Sequence, residues 1–139
     1  MLVAIQFYRP HENSSTKPVP HDFLKVEQAP AHIVKIFKTS CYDCHSNNTQ
    51  YAWYDNIAPL SWYVDKKIKR GKFSLNFSQW GAFEPWRRRL FLQGAIMYDI
   101  KRDKMPPTGY RFTHPKSTLS LIQKEQLQTW IDTIDLMKE

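Results

Sequence analysis

Both cysteines of this 139-residue chain fall in one pentapeptide, Cys41-Tyr42-Asp43-Cys44-His45, and no other feature constrains the fold as much. On one turn of helix, side chains three apart share a face, so two thiols at this spacing reach the same edge of one flat ligand. The imidazole that follows is carried beneath the ligand's centre. C-x-x-C-H is the pattern of covalent c-type haem attachment, each thiol adding to a vinyl group and the histidine binding iron as proximal ligand. The expectation is one haem c, bound through Cys41 and Cys44, with His45 on the metal. Other readings fit less well. A thioredoxin-like redox pair needs a strand before the motif, whereas a helical pattern precedes it here. A structural zinc site needs further ligands, and His11, His21, His32 and His114 are scattered without knuckle spacing. A Cys41–Cys44 disulfide closes a small strained loop and leaves His45 unexplained.

The chain around the motif reads as mainly α. Pro30 suits the first position of a helix that runs to Cys41, with Ile33, Val34 and Phe37 on one face. Pro59 opens a second helix carrying Leu60, Trp62, Tyr63, Val64 and Ile68, with Gly71 as its stop. The third opens at Pro85. Its apolar positions Trp86, Leu90, Met97 and Ile100, with Phe91 and Ala95 beside them, keep helical spacing until Lys104-Met105-Pro106-Pro107. Ser120 followed three residues later by Gln123 reads as a capping box, and Leu127, Trp130, Ile131 and Ile134 give the last helix a buried stripe. Loops at 46–58, 72–84 and 106–119 are long for a small domain, which suggests something bound beneath them. No stretch alternates like a strand.

The apolar segment Leu2 to Tyr8 breaks at Arg9-Pro10 and is too short to cross a bilayer. It reads either as the end of an N-terminal membrane anchor, occupying residues 1–10, or as an apolar turn packed on the domain. Pro10 to Pro20 carries almost nothing to bury, so 11–28 reads as a linker and 29–139 as the domain proper. A haem held by His on one face is completed by a Met or a second His. Met1 lies in the apolar segment, Met137 trails the last helix, and Met97 sits on an apolar helix face. Met105 precedes Pro106-Pro107, and proline-fixed dihedrals can hold its sulfur over a ring face. Met105 is therefore the expected distal ligand, with His114 in the same loop as the alternative. Trp53, Tyr54, Trp62, Phe77 and Trp80 are candidate porphyrin walls.

Lys and Arg number 20 against 13 Asp and Glu, a net charge of +7. Lys66, Lys67, Lys69, Arg70 and Lys72 form a basic run that reads as a solvated helix face and could steer an acidic partner. Arg87-Arg88-Arg89 sits in no nucleic-acid motif, so no nucleic-acid partner is expected. No carboxylate pair, nucleophile–base set or second haem motif is evident, so an enzyme is not expected.

A helix ending in C-x-x-C-H, the segment Ala58-Pro59-Leu60, a Met-Pro loop and a terminal amphipathic helix together resemble a class I cytochrome c. The chain is more closely similar to the bacterial haem-binding domain family, small single-haem cytochrome-c-like domains common in Bacteroidetes. The shared segments are Cys41 to Thr49, Tyr51-Ala52-Trp53-Tyr54 (with Ala52 where a proline is expected) and Ile57 to Trp62. Further along they are Gly71-Lys72, Leu75-Asn76-Phe77-Ser78 with Trp80, Met105-Pro106-Pro107 with Tyr110, His114-Pro115 and Trp130-Ile131. The resemblance implies a mainly α, cytochrome c-like domain of some four helices with long loops wrapped around one haem. It implies a mono-haem carrier of single electrons, periplasmic and tethered to the inner membrane, whose N-terminal anchor ends like Leu2 to Tyr8. A redox partner protein, acidic in character, and a monomeric state are expected. In the class I fold the carbonyl of the proline after the motif accepts the proximal imidazole N–H, which assigns that role to Pro59. Trp62 is placed with it among the cofactor-binding residues. A haem sensor with a displaceable distal ligand is the alternative function, and a thiol oxidoreductase the third. Covalent attachment takes place after export, and the chain carries no complete export signal, so its beginning is expected to be missing here.

Overall fold

Helices carry the fold in the computed structural model, which describes residues 3–136. Among those residues no strand forms, and an isolated antiparallel bridge joins Ser14 to Asn48. Helix α1 (Phe23–Val26) is started by Asp22, whose carboxylate accepts the Leu24 amide at 3.1 Å. Helix α2 (Ala31–Ser40) follows Pro30 and buries Ile33, Ile36 and Phe37. It breaks at Cys41, where φ is −129°, and resumes as α3 (Tyr42–His45), the single turn that carries Cys44 and His45. Helix α4 (Leu60–Ser74) comes next, then α5 (Pro85–Arg89), a π-helical segment (Leu90–Ile96) and α6 (Met97–Lys101) in direct succession. Helix α7 (Thr108–Thr113) lies in the Met-Pro loop, and α8 (Leu121–Leu136) closes the chain. The capping box forms reciprocally: Ser120 N donates to Gln123 Oε1 at 2.9 Å, and Gln123 N to Ser120 Oγ at 3.1 Å.

The core is an aromatic cluster backed by aliphatic residues of α2, α6 and α8. Phe23 meets Phe37 at 5.1 Å, Phe77 at 4.9 Å and Trp80 at 4.7 Å between ring centroids. Ile33, Leu127, Ile131 and Ile134 close around them, fully buried. The indole of Trp80 donates to Glu27 Oε1 at 2.6 Å, which satisfies the one polar atom of an otherwise apolar ring. Because Phe23 and Leu24 belong to this core, the domain begins ahead of residue 29. The linker expected over 11–28 is corrected further upstream. Asn13 Nδ2 donates to the Ser46 carbonyl at 2.8 Å and to Thr49 Oγ1 at 2.9 Å, and its backbone N–H donates to Tyr51 Oη at 2.8 Å. Gln6 exchanges two hydrogen bonds with the backbone of Ala58, each 3.0 Å. Met1, Leu2 and Met137 lie outside the described residues.

Three other expectations are corrected. Gly71 does not stop the second helix, which continues to Ser74. The three long loops hold helical turns, at Trp53–Asn56, Phe77–Ala82 and Pro115–Ser117, besides α7. In the third helical stretch Met97 and Ile100 are buried as expected, but Trp86 and Leu90 are 67% and 60% exposed and Leu92 is buried instead. The π segment explains this. A wider turn takes up one more residue, so α5 is rotated by about one position relative to a continuous α-helix. Arg87 and Arg88 serve the same stretch: Arg88 donates to the carbonyls of Phe83 and Gly81 at 2.8 and 2.7 Å, and Arg87 lies over the Phe83 ring.

Candidate functional site

The pentapeptide opens onto a cavity of about 430 Å³. Cys41, Cys44 and His45 form one wall, with Gly71, Leu75 and Phe77 beside them. Phe91, Ala95 and Ile96 of the π segment line it too, with Asp99 and Ile100 from α6. Met105, Pro106, Pro107 and Tyr110 complete the lining. The walls are mostly apolar, with a few polar groups set among them, as in sites for flat organic cofactors.

His45 is held as a metal-ligating imidazole is held. Its Nδ1 lies 2.9 Å from the Leu75 carbonyl, which can only accept, so Nδ1 carries the proton and Nε2 keeps its lone pair. Burial lowers the imidazole's pKa and favours the neutral ring, against the opposing pull of the Leu75 and Gly71 carbonyls. The acceptor is thus Leu75 and not Pro59, and the reason is positional. Pro59 begins α4, where its carbonyl already accepts from Trp62 and Tyr63, whereas the C-terminal end of α4 lies against α3. Trp62 is not a cavity wall either; its indole donates to the Tyr8 carbonyl at 2.9 Å and its ring meets Tyr8.

Both thiols are unpaired in any disulfide. Burial, with a smaller contribution from Cys44, pushes the Cys41 thiol up to about 12. Burial and then Asp43 push Cys44 up to about 11, with Lys67 opposing. Exchange-active cysteines have depressed pKa values, so this environment is the reverse of a thiol oxidoreductase's. Among the described residues no group of three or more His, Cys, Asp or Glu converges, so no closed zinc site is formed there.

Gly71 is what lets α4 approach the motif. A Cβ there would overlap the Cys44 carbonyl oxygen and lie 3.1 Å from the Cys44 Cβ. Gly71→Ala is expected to destabilise the domain by about 1–3 kcal/mol, because the overlap is with backbone and outweighs the gain in helix propensity. Urea unfolding checks it, and an unchanged or raised midpoint would contradict the close approach.

Met105 lines the same cavity as His45 and is 36% exposed. Its amide and that of Lys104 donate to the Asp99 carbonyl at 3.3 and 2.9 Å, which ties the Met-Pro segment to the end of α6. His114 is placed elsewhere. It stacks on Tyr110, its Nε2 is 3.6 Å from buried Asp55, and it does not line the cavity. Of the five aromatics expected as walls, Phe77 takes that position, while Trp80 is core and Trp53 is 78% exposed. Sequence reasoning did not assign Leu75, Ile96, Asp99 or Tyr110 to the site; Phe91 and Ala95 were noticed, but only as helix positions. From the basic run, Lys67 and Arg70 reach the cavity, whereas Lys69 pairs with Asp65 at 2.8 Å and Lys72 bonds Asn13 at 2.7 Å.

Two sulfurs, a neutral imidazole and a thioether around a mostly apolar cavity are a donor set suited to an iron macrocycle. A family model described as a haem-binding domain matches residues 1–133. Comparison with curated proteins and with solved structures finds no match.

Proposed function

Because the chain belongs to the haem-binding domain family, we propose that it is a mono-haem c-type cytochrome domain that carries single electrons in the periplasm. The observation that carries this reading is that two thiols, His45 and Met105 line one cavity. When bound, haem supplies an iron that takes up and returns one electron. Cys41 and Cys44 hold it by thioether bonds. His45 offers Nε2 to the metal while Leu75 fixes the ring's orientation. Met105 would hold the iron through its thioether, a choice that raises the reduction potential relative to a second histidine. With His45 and Met105 both given to the iron, no ligand position would be left for a substrate, which favours a carrier over a catalyst. Phe77, Phe91 and Ile100 give the cavity an apolar wall.

The periplasmic assignment follows from the chemistry of attachment, since the thiols are presented reduced to haem outside the cytoplasm. In this reading the protein is monomeric, uses no nucleic acid and is tethered to the inner membrane by an N-terminal anchor. Among the described residues no helix is long and apolar enough to cross a membrane. Lys67 and Arg70 at the cavity favour an acidic redox partner. The exposure of Met105 favours a second reading, a sensor in which this ligand is displaced.

The test is a visible spectrum of the exported protein, oxidised and reduced, with a pyridine haemochrome assay. A c-type α-band is expected, together with a sulfur-to-ferric-iron charge-transfer band. Met105→Ala should abolish that charge-transfer band and lower the midpoint potential. Carbon monoxide binding to the reduced parent protein would favour the sensor, and absence of haem would overturn both readings.

A further inference from the structure

We propose that electrons pass between the cavity and solvent through four rings in series, Tyr110, His114, Tyr54 and Trp53, with Trp53 as the outer terminus. This rests on the electron-carrier reading above. Tyr110 lines the cavity and stacks on His114, with centroids 4.2 Å apart and planes within 10°. The two rings meet because they are four residues apart, Tyr110 within α7 and His114 just past its end. His114 meets Tyr54 at 5.8 Å, and Tyr54 meets Trp53 at 5.5 Å. Trp53 is 78% exposed, so the row runs unbroken from the cavity wall to solvent.

Each inner ring is also pinned. Tyr54 donates its hydroxyl to the Thr113 carbonyl at 2.7 Å. His114 Nδ1 lies 2.9 Å from Thr113 Oγ1, and its Nε2 faces Asp55, which accepts the Ala52 amide at 2.8 Å. Tyr110 donates its hydroxyl to Asp43. Tunnelling weakens steeply with each gap in the intervening medium, and rings held at contact by polar anchors keep those gaps short. In the outward direction one electron leaves ferrous haem and arrives on a one-electron acceptor. No bond forms or breaks, no proton moves, and the four rings end as they began.

The test uses the full haem-loaded chain, in which Cys41 and Cys44 are consumed, with a ruthenium polypyridyl label on an introduced Asn56→Cys. Asn56 is exposed and ends the turn Trp53–Asn56. After a flash, the oxidised label draws an electron from haem, and transient absorption gives the rate. Trp53→Leu is expected to slow the transfer by an order of magnitude with the haem spectrum and midpoint potential unchanged, and His114→Leu to do the same. A label at Lys101→Cys, on α6, should give a rate indifferent to both substitutions. If the Asn56 label transfers as fast in Trp53→Leu as in the parent, the route is overturned and the carrier reading stands. If the parent chain shows no haem absorption, the carrier reading falls and the route with it.

Discussion

With Cys41 and Cys44 both replaced by Ser, the exported protein is expected to give up all of its haem to acid–acetone, whereas the parent chain retains it. The thiols line the cavity beside His45 and neither is engaged in a disulfide. A thiol adds across a vinyl group, sulfur to one carbon and hydrogen to the other; a serine hydroxyl does not do so under mild conditions. His45 and Met105 are untouched in the double variant, so haem should still be seen in the native spectrum and be lost only on denaturation. Haem staining of a denaturing gel makes the distinction. A stained band in the double variant would place the covalent link elsewhere. The raised thiol pKa values make a second outcome checkable on the same material. Parent haem-free chain should react slowly with thiol reagents at neutral pH, since little thiolate is present.

The largest effect on stability is expected from Trp80→Ala. The ring is fully buried, contacts Phe23 at 4.7 Å, Phe83 at 6.1 Å and Phe91 at 6.3 Å, and donates to Glu27. Removing it leaves a cavity no neighbour can fill and takes a donor from a buried carboxylate, a loss of about 3–5 kcal/mol. Domains of this size have roughly 5–15 kcal/mol in total, so a large share of the variant's stability goes. Urea unfolding should show a much lower midpoint with little change in slope. Trp80→Phe keeps most of the apolar volume and loses the indole N–H, and should fall between the two. Because Phe91 also lines the cavity beside His45, Trp80→Ala is expected to load less haem as well.

What could be read from the sequence was what short spacing decides. Ser120 and Gln123 announce a helix start because both partners of the cap lie within one turn, and Leu127, Ile131 and Ile134 announce its buried face for the same reason. The thiols and imidazole are legible because five consecutive residues carry them. The carbonyl opposite His45 is not, since every residue has one and the choice of Leu75 depends on how the end of α4 lies against α3. Gly71 reads as a stop along the chain; only the nearness of Cys44 shows that it is a point of close approach. The π segment has no compositional mark, so Trp86 and Leu90, correctly spaced for an α-helix, read as buried although they face solvent. Residues 11–15 look like a linker because they are polar, yet the polarity of Asn13 is what fastens them.

That fastening has a mechanical consequence. From Gln6 to Ser15 the chain is bonded to Ala58, Trp62, Ser46, Thr49, Tyr51 and Asn48, and Lys72 reaches across to Asn13 from α4. A pull applied ahead of Gln6 therefore does not reach α1 until these bonds have sheared. The load falls first on the loop that follows His45, so tension on the N-terminal end is carried into the chain directly behind the C-x-x-C-H turn and not to the core helices.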